Sequence, residues 1–121
     1  MKTVVITGST RGLGFEMAKE FRWNGWNVML NGVNEERLEA AVKALENVNS
    51  GGSVAGFRAN VTSAEELNAL AEYSAEKFGT VDIWINNAGV NQQMKAVWEL
   101  GEDEIDAVLD TDLRGAVIQI L

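Results

Sequence analysis

At 121 residues the chain has room for one domain around one core, and 46% hydrophobic against 23% charged residues places it among folded globular sequences. The formal charge of −8 argues against a nucleic-acid surface, and the absence of histidine and cysteine removes the usual zinc ligands, disulfides and every Ser-His or Cys-His nucleophile. The N-terminal apolar run is too short for a signal sequence and no stretch of membrane-spanning length follows, so a cytoplasmic location with no membrane partner is expected.

The chain opens on Val4-Val5-Ile6, a β-branched run that predicts a strand, and breaks into Thr7-Gly8-Ser9-Thr10-Arg11-Gly12-Leu13-Gly14. A helix is predicted next, with Leu13, Met17 and Phe21 recurring every four residues on one face. Each glycine has a role in such a turn: Gly8 for a sharp exit, Gly12 for close approach of backbone to a ligand, Gly14 for packing the helix on the sheet. Free N–H groups of the new helix then converge where its dipole is positive, which suits the pyrophosphate of a dinucleotide.

Trp23-Asn24-Gly25 reads as a helix stop, residues 26–31 as a second strand, and Gly32-Val33-Asn34 as its exit. Asn34 is a suitable N-cap for a helix over 35–45 that turns Leu38, Ala41, Val42 and Leu45 to one side. A small-polar loop leads to a third strand over 53–60. Ser63 and Glu66 form the pattern of a capping box, opening a helix with Leu67, Leu70, Ala71, Ser74 and Phe78 inward and Gly79 at its end. A fourth strand is predicted over 81–86, with Asn87-Ala88-Gly89 as its exit. Residues 102–121 carry Ile105, Val108, Leu109, Leu113, Val117, Ile118 and Leu121 at mixed three- and four-residue spacings, which predicts a last, strongly apolar helix. Alternating strands and helices imply an α/β, Rossmann-like doubly wound parallel sheet of order 3-2-1-4 with flanking helices. Ligand then lies over the strand C-termini between strands one and four, where the Gly8 turn and the Asn87 exit both fall.

The spacing Thr-Gly-x-x-x-Gly-x-Gly resembles the turn of the short-chain dehydrogenase/reductase family, and Asn86-Asn87-Ala88-Gly89 resembles its Asn-Asn-Ala-Gly motif. Asn60-Val61 stands where that family has Asp-Val. The resemblance covers nearly the whole chain, as the family's N-terminal half, and within the family the two motifs look most like the chlorophyll b reductase branch. It implies a nicotinamide dinucleotide held by Gly8, Ser9, Thr10, Arg11, Gly12, Leu13, Gly14, Asn31, Asn60, Val61, Asn87, Ala88 and Gly89. The second strand ends in Asn31, Gly32 and Val33, offering neither the acid that suits NAD nor the Arg that suits NADP. Arg11 is then either a cation for the extra phosphate, which favours NADP, or a solvated surface residue.

Three features depart from the family pattern. Asn60 replaces an Asp, although an amide can still hydrogen-bond adenine. Asp112 aligns with the family's catalytic Asn; a carboxylate there cannot donate, and the alternative is an exposed helix residue. The family's Ser and Tyr-x-x-x-Lys would follow Leu121. The only tyrosine, Tyr73, has Lys77 four residues on but belongs to the third helix pattern, where it reads as an amphipathic helix residue. The expectation is an NAD(P)-dependent oxidoreductase present as its cofactor-binding portion, inactive alone. The alternative is a noncatalytic nucleotide-binding module that associates with itself or a complementary chain through the last helix.

Overall fold

The computed structural model describes residues 1–48, 51–87 and 117–120. In chain order these form β1 (Thr3–Ile6), α1 (Gly12–Trp23), β2 (Asn27–Gly32), α2 (Glu35–Glu46), β3 (Val54–Arg58), α3 (Ala64–Phe78), β4 (Ile83–Asn86) and β5 (Val117–Ile120). One sheet orders them β3-β2-β1-β4-β5. The first four strands are parallel, with Val4 of β1 level with Val28 on one side and Ile83 on the other. The fold is Rossmann-like, with the switch in strand order between β1 and β4.

The strand period of two sorts the core onto two faces. Val4, Ile6, Val28, Leu30 and Ile85 pack with Ala18 of α1 and with Leu38, Ala41 and Leu45 of α2. On the other face Val5, Met29 and Ala55 pack with Leu70 of α3. Helices on both faces explain why β1 is apolar at consecutive positions: each side chain finds a cover. A fully buried aliphatic side chain contributes about 1.5–3 kcal/mol, so this double layer is the main stabilising feature of the sheet.

Local chemistry ends the helices. The Trp26 N–H returns to the Phe21 carbonyl at 3.0 Å while Gly25 adopts φ +82°, closing α1 as the sequence predicts. Asn34 Oδ1 accepts from the Arg37 N–H at 2.9 Å and opens α2. At the far end of α2 the buried Arg22 donates through Nε to the Leu45 carbonyl, and through its two terminal nitrogens to the carbonyls of Gly51 and Val48. A cation from α1 thereby ties down the C-terminal end of α2 and the loop after it, where the helix dipole is negative.

Three expectations need correction. The face that α1 buries carries Gly14, Ala18 and Arg22, whereas Leu13 is 45% exposed, and Phe15, Met17 and Phe21 only flank the core. The helix packs so closely on the turn that its smallest side chains must face inward. The capping box closes on one side only: Ser63 Oγ accepts from the Glu66 N–H, but Glu66 Oε1 reaches the Asn60 N–H at 3.0 Å because the Ser63 N–H is already bonded to the Asn60 carbonyl. Finally, Val117–Ile120 is not helical; it forms β5, antiparallel to β4, with Ile85 level with Ile118 and Ile83 level with Ile120. Short β-branched runs suit a strand once a partner edge is available, and mixed spacing does not separate the two outcomes. The remainder of the last predicted helix, including Asp112, lies outside the described residues.

Candidate functional site

The C-terminal edge of the sheet is built around the turn after β1. Gly8 takes φ +59° and Gly12 φ +63°, a region in which other residues are strained. Gly14 is constrained by space: a Cβ there would collide with the Gly8 carbonyl oxygen and lie 2.6 Å from Asn87 Nδ2. Gly8 makes the sharp exit and Gly14 the close packing that the spacing predicts, while Gly12 is a second positive-φ position with open space around it.

Side chains from neighbouring strands hold this turn from beneath. Ser9 Oγ donates to the Ile6 carbonyl at 2.7 Å and accepts from the Asn31 N–H at 3.0 Å, while the Ser9 N–H donates to the Asn31 carbonyl at 2.8 Å. Asn31 is 1% exposed. Its Oδ1 accepts from the Gly8 N–H at 3.1 Å, and its Nδ2 donates to the carbonyls of Phe57 and Ala59. One amide thus links the glycine turn to the ends of β2 and β3. From the other side, the Asn87 N–H donates to Thr7 Oγ1 at 2.9 Å and Asn87 Nδ2 donates to the Gly8 carbonyl at 2.8 Å. The exits of four parallel strands are cross-tied across the switch point.

What this frame presents outward is the start of α1. Arg11 is its N-cap, extended at φ −160°, with no side-chain cap bond, and no acidic residue lies in the first turn. The other two helices among the described residues, α2 and α3, each begin with a side-chain cap and two glutamates. The first N–H groups of an α-helix have no partner within it, and here no carboxylate competes for them. The donor set fits an anion such as a pyrophosphate.

Sequence reasoning brought Gly8, Ser9, Thr10, Arg11, Gly12, Leu13, Gly14, Asn31 and Asn87 to this place, and the structure unites them in one network or its rim. Asn60 and Val61 sit on the same edge of the sheet beyond β3, where Asn60 Oδ1 accepts from both the N–H and the hydroxyl of Thr62. Ala88 and Gly89 lie outside the described residues. Thr7, whose role the motif spacing does not reveal, is fully buried and accepts from the Asn87 N–H through its hydroxyl oxygen. Tyr73 stacks on Phe57 at 5.0 Å between ring centroids, the packing expected of an amphipathic helix residue. Beside Arg11 an open groove of about 420 Å³ runs between α1 and α2, lined by Thr10, Arg11, Phe15, Arg37, Ala40, Ala41 and Ala44.

Comparison with known proteins agrees with this frame. The family described as short chain dehydrogenase matches residues 2–120. The chain belongs to that family. As a short-chain dehydrogenase sequence it is 35% identical over 116 residues to chlorophyll(ide) b reductase NOL, chloroplastic, of Arabidopsis thaliana, covering 95% of this chain and 33% of the plant protein. This relative bears out the likeness to the chlorophyll b reductase branch. Among solved structures, actinorhodin polyketide ketoreductase with NADPH superposes with a TM-score of 0.67 at 32% identity, over 73% of this chain and 33% of the other. An NADH-dependent reductase complexed with NAD gives 0.65 at 37% identity, over 73% and 36%. The chain spans about a third of the length of each of these proteins.

Proposed function

We propose that these 121 residues are the dinucleotide-binding portion of an NAD(P)-dependent oxidoreductase, with NADP preferred. The observation that carries this reading is the uncapped, acid-free start of α1, held over the sheet by Asn31 and Asn87. Gly8 to Gly14 would hold the pyrophosphate through backbone N–H groups, and the adenosine half would extend over the exits of β2 and β3 towards Asn60 and Val61. Arg11 supplies a cation beside that path. When bound, the nicotinamide supplies a hydride acceptor or donor for a carbonyl/alcohol pair. The chain's own contribution is to bind and orient it.

Fluorescence titration of the chain with NADPH tests the reading. Saturable binding is expected, and it should be lost in Gly14→Val, whose side chain forces α1 away from the turn. Absence of binding by the parent chain overturns the proposal. A second reading, self-association, is favoured by the sheet order, in which β3 and β5 each have one ladder side not used among the described residues. Sedimentation at several concentrations distinguishes it, since a monomer throughout excludes self-association.

A further inference from the structure

The groove between the start of α1 and α2 is lined by two arginines from elements far apart in sequence. Arg11 is the N-cap of α1, and Arg37 stands in the first turn of α2, its N–H fixed by the Asn34 side chain at 2.9 Å. The α2 positions on this side, Arg37, Ala40, Ala41 and Ala44, follow helical face spacing and include no acid. Glu35, Glu39 and Glu46 line a separate groove on another side of the helix, near Gly56. The chain carries 18 acidic against 10 basic residues, yet neither Arg11 nor Arg37 joins an ion pair among the described residues; those found are Lys19–Glu16 and Arg58–Glu66. Two unpaired cations facing an acid-free groove in an acidic protein make a local site for a dianion.

The groove is also continuous with the glycine turn. Thr10 belongs to both, and it lies over the end of β2 so closely that a Cβ on Gly32 would be 2.6 Å from its methyl group. Val33, which follows β2, is 60% exposed and carries no charge to accept ribose hydroxyls or to repel a phosphate. We infer that Arg37 is the second cation of the nucleotide site: with Arg11 it takes a phosphomonoester on the adenosine ribose, so the first turn of α2, not the end of β2, selects the phosphorylated dinucleotide. This inference rests on the dinucleotide reading above.

Calorimetric titration of the 121-residue chain with adenosine 2′,5′-bisphosphate and with 5′-AMP separates the two. The parent chain should prefer the bisphosphate by about tenfold or more, as expected for charge-assisted bonds to one phosphate. Arg37→Gln should remove roughly a tenfold share of that preference while 5′-AMP binding is unchanged, Arg37→Lys should restore part of it, and Arg37→Glu should reverse it. Equal affinities in the parent chain, or an Arg37→Gln chain that binds 5′-AMP and keeps the parent preference, overturn the role of Arg37 alone. If the parent chain binds neither nucleotide, the dinucleotide reading falls and this inference with it.

Discussion

Gly12 and Gly14 stand two positions apart and are glycines for different reasons. Gly12 has φ +63° but open space around its missing Cβ, so Gly12→Ala meets only backbone strain, on the order of 1–2 kcal/mol. Gly14 has no room: its Cβ would meet the Gly8 carbonyl, Asn87 Nδ2 at 2.6 Å and the Ser9 Cα at 2.9 Å. Gly14→Ala should therefore cost more, about 2–3 kcal/mol by overpacking, and should weaken nucleotide binding because the turn itself must shift. Urea unfolding of the two variants checks the order; equal losses would show that the close contact is relieved cheaply. Asn31 is a related case. The family resemblance placed it among the residues that hold the dinucleotide, and both ends of its side chain are engaged inside the fold. Asn31→Leu would remove three hydrogen bonds and leave buried backbone groups unpaired, which costs about 3 kcal/mol or more. A midpoint shift of that size, with no change in the slope of the unfolding curve, is the expected result.

The three helices among the described residues begin differently, and on the dinucleotide reading proposed above the difference separates stability from binding. Asn34 and Ser63 cap α2 and α3, each with two glutamates in the first turn, as a stable helix prefers. α1 starts on Arg11 with neither device. Arg11→Asp should stabilise α1 by about 1 kcal/mol, since an Asp side chain can accept from the free N–H groups and complement the dipole. The same change should weaken NADPH binding by tenfold or more, because the carboxylate occupies the donors and removes the cation. Thermal melts and NADPH titration on one variant test both halves; higher stability with unchanged affinity would place the phosphates elsewhere. These caps also show what was legible beforehand. Asn34, Ser63 and Gly25 act locally, so the sequence specifies α2, α3 and the end of α1 directly. The inward face of α1 depends on how closely it meets the turn, and the bonding of Glu66 on where Asn60 lies, so neither could be read from spacing. The antiparallel pairing of Val117–Ile120 depends on an edge offered by β4, more than thirty residues earlier in the chain.

At the scale of the molecule, the site is a property of the sheet. Asn31 and Asn87 tie the glycine turn to β2, β3 and β4, so a ligand that needs this turn in place also needs these strand ends in register. Binding and folding are consequently linked. A nucleotide at about a hundred times its dissociation constant adds roughly 2.7 kcal/mol to the folded state, which for a domain of this size raises Tm by about 10 °C. NADPH should produce that shift, and NADH a smaller one at equal concentration because it lacks the phosphate on the adenosine ribose that Arg11 and Arg37 would take. Turnover is a separate matter. Proton transfer to a carbonyl requires an acid beside the nicotinamide. The chain has one tyrosine and no histidine, and that tyrosine, Tyr73, is stacked on Phe57 against the α3 face of the sheet. Incubation of the purified chain with NADPH and a panel of carbonyl compounds should therefore leave the absorbance of the reduced nicotinamide unchanged, even under conditions where Tm shows the nucleotide bound. Steady oxidation of NADPH would mean that another group in these 121 residues supplies the proton.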